Sequence, residues 1–254
     1  MAERKFYYHH LTDDLVVSRQ QDYQLPDNYS IFPTTSASKA WAKIIRLSGG
    51  LISLVYVRAI ARIQIVGKEK LQLVSDQGYF IYGNHTQPFG DIVLPLSLVP
   101  WQNYYAIGAP ANWGIPILGK LVLPYFALPV GQNLKQSGKL ISAVTQVIQA
   151  KKTVVIYPEA HVWPYYTKIR PFTKTSMHFP VALHAPSFTM TTTYSRLHLG
   201  KRPRITVYID GPFYPDRHLD KKQAQVQLHT QISAAMQRRA HLSNYQYYTY
   251  QRLV

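Results

Sequence analysis

The chain has 254 residues, 46% of them hydrophobic, enough to bury a full core in what reads as one domain. Lys and Arg outnumber Asp and Glu 28 to 12, a formal net charge of +16 that calls for an anionic partner surface: membrane lipid, nucleic acid or a phosphorylated cofactor. There is no cysteine, which excludes disulfides, thiolate metal sites and a cysteine nucleophile.

Residues 1–36 are polar and tyrosine-rich, carry Pro26 and Pro33, and read as an irregular arm; their start has none of the features of a signal peptide. Residues 37–64 change character. Trp41, Ile44, Leu47, Leu51, Ile52 and Val55 interleave with Lys39, Lys43, Arg46, Arg58 and Arg62, the pattern of a basic amphipathic helical segment, in two pieces if Gly49-Gly50 breaks it. A helix packed on the domain with solvated lysines and a helix lying in a lipid headgroup layer both fit this pattern. The charge-free run 47–57 falls short of the ~20 apolar residues that a spanning helix needs.

From 65 to 242 strand-like and helix-like stretches alternate. Strands are predicted at 72–82, 104–109, 126–130, 153–157, 188–194 and 205–209. Helices are predicted at 92–99, 134–150, 175–184 and 220–240, with a Gly/Pro-punctuated helical piece at 111–122. The alternation predicts an α/β fold: a single domain with a mostly parallel central sheet flanked by helices, preceded by the basic amphipathic segment. The tail, 243–254, is aromatic and basic, and either packs on the surface or touches lipid.

Two apolar runs end in titratable residues. Tyr79-Phe80-Ile81-Tyr82 leads into Gly83-Asn84-His85, with Asp91 six positions after the histidine, and Thr153-Val154-Val155-Ile156-Tyr157 leads into Pro158-Glu159-Ala160-His161. Strand ends of this kind converge on one site at the edge of a parallel sheet. Only three glutamates occur, Glu3, Glu69 and Glu159, so a glutamate at a strand end stands out.

Together these motifs resemble the glycerolipid acyltransferase superfamily, which includes 1-acylglycerol-3-phosphate acyltransferase. That family carries Asn-His, a four-residue spacer and Asp, then a Pro-Glu-Gly-Thr-Arg segment about seventy residues later. Here the first motif is Asn84-His85 to Asp91 and the second is Pro158-Glu159-Ala160-His161. Arg170-Pro171-Phe172-Thr173-Lys174 is similar to the family's Pro-Phe-Lys segment, and Asp210-Gly211-Pro212 closes a late strand as the family's Gly-x-Pro does. The resemblance covers roughly 65 to 240. Three departures accompany it. The His85–Asp91 spacer holds five residues, Ala160-His161-Val162 replaces Gly-Thr-Arg, and no arginine lies near Phe126–Gln132, where the family has one for the acceptor's phosphate.

The resemblance implies transfer of a fatty acyl group from an acyl thioester, acyl-CoA or acyl carrier protein, to the hydroxyl of a lysophospholipid or related lipid acceptor. It also implies a peripheral site on the cytoplasmic face of an anionic membrane, and no bound cofactor. Deprotonating a hydroxyl calls for a base with a pKa near neutrality and a carboxylate to orient it, roles assigned to His85 and Asp91. A turn histidine and a helix-capping aspartate are the plainer alternative. The inserted residue would rotate Asp91 by ~100° on a regular helix, so Pro88 and Gly90 must make an irregular turn. Asn84, Glu159, His161, Lys168 and Arg170 are the candidates for substrate binding. Glu159 would organise either the acceptor or the His85 loop, and His161 is either a replacement donor or an ordinary loop residue. Lys168, Arg170 and Lys174 form either a solvated loop or a phosphate clamp. Trp163, Tyr165 and Tyr166 either meet the membrane interface or cover the core. No metal-ligand spacing occurs: His9-His10 are adjacent, and no His-x-x-x-His pair falls on a helix. Charge and tyrosine content also suit a nucleic-acid-binding protein, which would leave both strand-end motifs unexplained, so no nucleic acid is favoured. The altered motifs also suit a lipid-binding fold without turnover.

Overall fold

The computed structural model describes residues 5–16, 22–197 and 202–253. The chain opens with strand β1 (Lys5–Tyr8), followed by helix α1 (Ser36–Val55), strand β2 (Gln64–Val66) and strand β3 (Tyr79–Gly83). Two short helices, α2 (Gly90–Val93) and α3 (Pro95–Leu98), lead to β4 (Tyr104–Gly108) and β5 (Ala127–Pro129). Then come α4 (Leu134–Gln149), β6 (Thr153–Ile156), α5 (His178–Leu183), β7 (Ser187–Ser195), β8 (Arg204–Phe213), α6 (Lys221–Ala240) and β9 (Thr249–Arg252).

Seven strands form one sheet in the order β2-β8-β7-β3-β6-β4-β5. Every neighbouring pair is parallel except β7 and β8, so the α/β fold with a mostly parallel sheet is as predicted. β3 sits between β6 and β7 with all five residues buried, which is why its sequence is a continuous apolar run with no alternation. One face of the sheet carries Phe80, Tyr82 and Val154 against α4 and α6; the other carries Ile81, Val155 and Val207.

Helix α1 covers the second face and is not broken at Gly49-Gly50. A Cβ on Gly49 would lie 2.9 Å from the Phe126 ring, and one on Gly50 3.3 Å from Trp101. The two glycines are therefore the contact face that lets the helix settle on the domain. Arg46, expected among the solvated or lipid-facing cations, is buried: Nη1 donates to the carbonyls of Trp101 and Tyr104 at 3.0 and 3.2 Å, and the guanidinium lies over the Tyr105 ring. Lys39 and Lys43 are exposed. The opposite face of α1 presents Ile44, Leu47, Leu51 and Val55 to the outside, Leu51 with 57% exposure. With the turn of π-helix that follows it, the helical segment Ser36–Ile60 runs 25 residues and is long and apolar enough to cross a membrane by length and composition. The sequence reading, confined to the charge-free run 47–57, had taken it as too short.

The arm differs from expectation too, and the tail takes the first of its two expected courses, packing on the surface. β1 pairs in parallel with β9, placing Phe6 opposite Tyr250 with stacked rings 5.3 Å apart. The tail's Tyr250 also stacks on Trp163 at 5.2 Å, and Tyr8 reaches the same indole at 4.8 Å. Trp163 is fully buried beneath these ends, so it covers the core. Residues 1–4 and 17–21 of the expected arm, and Val254 of the tail, lie outside the described residues. The strand expected at 72–82 begins only at Tyr79, because Leu71 and Val74 are buried on a 3₁₀ turn, Lys68–Val74.

Candidate active site

β3 and β6 run side by side and both end at the same edge of the sheet, so the residues that follow them meet. The chain leaving β3 does not enter a helix until Gly90, and residues 84–89 form an irregular turn. That turn absorbs the extra spacer residue. Asp91, in the first turn of α2, folds back so that Oδ2 lies 2.7 Å from His85 Nδ1 and accepts the Gln87 N–H at 2.9 Å.

The loop after β6 holds the turn in place. His85 N–H donates to Glu159 Oε2 at 3.1 Å, the His85 carbonyl accepts from Trp163 N–H at 2.9 Å, and the Thr86 carbonyl accepts from Tyr165 N–H at 2.8 Å. Tyr157, which the sequence reading did not single out, stacks on the His85 ring with centroids 4.6 Å apart. Its hydroxyl donates to the Asp91 carbonyl at 2.6 Å. Gly83 permits this approach, since a Cβ there would sit 2.6 Å from the Tyr157 ring. The Tyr-Pro-Glu sequence at a strand end was the available signal for Tyr157.

Three of the expected substrate-binding residues are buried in hydrogen bonds within the scaffold, which for Glu159 is the second of its two expected roles, organising the His85 loop. Asn84 is buried, donating to the Thr192 carbonyl at 3.0 Å and accepting its N–H at 2.8 Å, which ties the turn to β7. Glu159 is buried, with Oε1 accepting the Arg170 N–H at 2.9 Å and Oε2 shared between His85 N–H and Arg170 Nη2. Arg170 is only 1% exposed; it pairs with Glu159 at 3.3 Å, bonds to the His161 carbonyl and lies over Trp163. A guanidinium so enclosed is committed to Glu159, not held out as a phosphate clamp. Lys168 is exposed and lines neither cavity at His85.

Burial pushes the Asp91 carboxyl above the ordinary carboxylate range, with the His85 contact pulling it back. Burial likewise raises Glu159, opposed by the Arg170 charge. Tyr157 is pushed well above a free phenol by burial and by the Asp91 charge, so its hydroxyl remains a donor.

His85 stands where two cavities meet. One, of about 410 Å3, is apolar, lined by Ile92, Tyr104, Ile107, Leu118 and Phe126. The other, of about 390 Å3, shares Ile107, Asn112 and Tyr157 with the first and adds Asp14 and His161 to a mostly apolar lining. Both volumes lie within the roughly 300–1,000 Å3 of ligand pockets. Asp91 holds Nδ1, and Nε2 has no hydrogen-bond partner among the described residues, on a ring that lines both cavities. A neutral imidazole oriented in this way can take a proton from a bound hydroxyl. Among the described residues no group of three or more metal-ligating side chains gathers.

Among solved structures, the chain is similar to the 1-acyl-sn-glycerophosphate (LPA) acyltransferase PlsC from Thermotoga maritima, with a TM-score of 0.56 over 85% of this chain and 87% of that one. The two chains share a fold. Sequence identity is 15%, so the likeness is one of fold, and it reaches well beyond the strand-end motifs. No protein-family model matches the sequence, and no curated protein matches it either. Within that fold, the His–Asp contact, the stacked tyrosine and the two cavities occupy the carboxyl ends of β3 and β6, where α/β sheets bind their ligands.

Proposed function

We propose that the chain is an acyltransferase that moves a fatty acyl group from an acyl thioester, acyl-CoA or acyl carrier protein, to the hydroxyl of a lysophospholipid or related lipid. The observation that carries this reading is the 2.7 Å contact between His85 Nδ1 and buried Asp91, where two mostly apolar cavities meet. His85 Nε2 takes the acceptor's proton as the hydroxyl oxygen attacks the thioester carbonyl. The tetrahedral intermediate collapses to the ester, and the departing thiolate takes the proton back from the imidazolium. Asp91 orients the ring and stabilises its charged form. The cavity lined by Ile92, Leu118 and Phe126 takes the acyl chain, and the one that reaches Asp14 and His161 takes the acceptor. Asn84, Glu159 and Arg170 act as positioning residues. No bound cofactor enters this chemistry.

The same reading places the chain on an anionic membrane, peripherally, on its cytoplasmic face. α1 packs one side on the domain through Arg46, Gly49 and Ser53 and leaves an apolar side uncovered. To span a bilayer it would have to abandon those contacts. An orientation along the headgroup layer keeps them and puts Ile44, Leu47 and Leu51 into lipid, with Lys39 and Lys43 near the phosphates.

The test is thiol release from long-chain acyl-CoA and from acyl carrier protein, screened over lipid acceptors on anionic vesicles. Acceptor-dependent release that is lost in His85→Ala supports the reading. A folded protein that consumes no thioester with any acceptor removes it and leaves a lipid-binding protein without turnover.

A further inference from the structure

Three neighbouring strands bring polar side chains to the place where the two cavities meet. β3, β6 and β4 lie side by side in the sheet, and His85, Tyr157 and Asn112 follow their carboxyl ends. Each of the three lines both cavities. Two of them are committed. His85 Nδ1 is held by Asp91, which leaves Nε2 as an acceptor, and the Tyr157 hydroxyl donates to the Asp91 carbonyl at 2.6 Å. The side-chain amide of Asn112 has no hydrogen-bond partner among the described residues. The remaining residues common to both cavities, such as Ile107 and Val162, are aliphatic or glycine. Among the described residues, Asn112 is therefore the one side-chain N–H donor at the junction with nothing to donate to.

The donor is also held still. Asn112 belongs to a 3₁₀ turn, Pro110–Gly114, that begins with proline just after β4. Its own N–H donates to the Ala109 carbonyl at 3.0 Å, and its carbonyl accepts from the Ile115 N–H at 3.2 Å. Beside it, Trp113 is buried, with Nε1 donating to the Tyr29 hydroxyl at 2.8 Å. Gly119 packs so closely on this turn that a Cβ there would overlap the Trp113 carbonyl. Asn112 Nδ2 lies 3.7 Å from where a Cβ on Gly108 would stand, and Gly108 itself lines both cavities. A dipole fixed before the substrate arrives needs no reorganisation when charge develops beside it.

We propose that Asn112 is the oxyanion donor of the acyl transfer, its Nδ2–H binding the thioester carbonyl oxygen as that oxygen becomes negative. The inference rests on the acyl-transfer reading, in which the acyl chain fills one cavity and the acceptor the other. The reacting carbonyl then lies where the cavities join, at His85 and Asn112. As the acceptor oxygen bonds to the carbonyl carbon, its proton passes to His85 Nε2 and the C=O π pair moves onto the oxygen that Asn112 holds. On collapse that pair re-forms the carbonyl, the C–S bond breaks, and the thiolate takes the proton back from the imidazolium. The amide binds the charged oxygen more strongly than the neutral carbonyl, so it acts on the barrier more than on substrate binding.

The experiment measures kcat and both KM values for thiol release from palmitoyl-CoA. Lysophosphatidate, lysophosphatidylcholine and monoacylglycerol are each tried as acceptor, and the best is used throughout. The full-length chain is compared as wild type, Asn112→Ala and Asn112→Asp, with folding checked by circular dichroism; either variant decides if the other fails to fold. Alanine removes the donor, and aspartate keeps the shape while setting a negative charge beside the oxyanion. Asn112→Ala should lower kcat by about 10²–10³-fold with both KM values little changed, and Asn112→Asp at least as far. The S-hexadecyl thioether of CoA, which cannot react, should bind wild type and Asn112→Ala equally. An unchanged kcat in a folded variant overturns the proposal. A raised acceptor KM at unchanged kcat assigns Asn112 to acceptor binding and overturns it too, as does weakened thioether binding that accounts for the lost turnover. If wild type consumes no thioester with any acceptor, the acyl-transfer reading fails and this role falls with it, whereas turnover indifferent to Asn112 removes the role alone.

Discussion

Glu159 accepts a hydrogen bond from the backbone N–H of His85 at 3.1 Å, across 74 positions of sequence. The same carboxylate receives the backbone N–H and the guanidinium of Arg170, so one buried side chain joins the β3 turn to the loop after β6. Removing one member leaves the other charge buried and unpaired, which costs about 3–5 kcal/mol. Arg170→Met should therefore destabilise strongly in urea unfolding. Glu159→Gln with Arg170→Met should lose clearly less than the sum of the single changes, since no lone charge remains. Strict additivity would mean that the two do not act as a pair.

The His85–Asp91 contact governs turnover in the proposed reaction. His85→Ala and Asp91→Asn should each lower thiol release by ~10²-fold or more with the fold retained. Near-wild-type release by either folded variant removes the assignment. Asp91 must be ionised to hold the Nδ1–H, and burial raises its pKa. Acidification should therefore lower kcat/KM, since protonating either member of the pair removes the base or its orienting acceptor. The sign for stability is opposite. A carboxyl whose folded pKa is raised contributes stability below its unfolded value and loses it as pH rises through the folded one.

Part of the sheet was legible because buried parallel strands are written as unbroken apolar runs: β6 falls close to where the sequence places it, and β3 ends there though it begins only at Tyr79. The reach of the His85–Asp91 contact was anticipated from Pro88 and Gly90. What stayed hidden depends on partners distant in sequence. Lys5–Tyr8 reads as irregular until Thr249–Arg252 pairs with it. Arg46 reads as a lipid-facing cation until the carbonyls of Trp101 and Tyr104 enclose it. Asp14 carries no local signal, because its place in the cavity comes from the fastening of the arm to Trp163 and Arg170.

Membrane attachment should divide into an apolar and an electrostatic part. Ile44→Asp with Leu51→Asp should lower partitioning onto vesicles in sedimentation, since both side chains are more than half exposed and leave the core untouched. Lys39→Glu with Lys43→Glu should weaken binding to anionic vesicles, and the difference should shrink in high salt. Reversing Arg46 instead should unfold the helix contact, because its charge faces the domain. Partitioning unchanged in both double variants would assign α1 a structural role only.

Far from the site, Asp210 joins β8 to α6. It accepts two hydrogen bonds from Arg239 at 2.7 and 2.8 Å and one from Lys70 at 2.9 Å. The Arg239 guanidinium, first, and Lys70 hold its carboxyl down to about 2. A depressed carboxylate contributes stability above its unfolded pKa, and that contribution fades as pH falls through the folded one. Asp210→Asn should cost roughly 1–2 kcal/mol near neutrality, allowing for solvent screening of the partly exposed cations. The wild type and the variant should converge in stability between about pH 4 and pH 2. A gap that persists at pH 2 would contradict the ion-pair account.

Ala160 is where the second motif departs from its family pattern and where the backbone takes a φ of +65°. Glycine enters that region freely, whereas an L-residue carries a penalty of about 1–2 kcal/mol from its Cβ. Ala160→Gly removes the Cβ but also loosens the unfolded chain, which offsets part of the gain. The net expectation is a stabilisation of about 0.5–1 kcal/mol, read as a raised urea midpoint at constant m. Turnover should be little changed, since His85 and Asp91 are untouched. A destabilised Ala160→Gly would show that the freedom glycine adds to the unfolded chain outweighs relief of the left-handed φ.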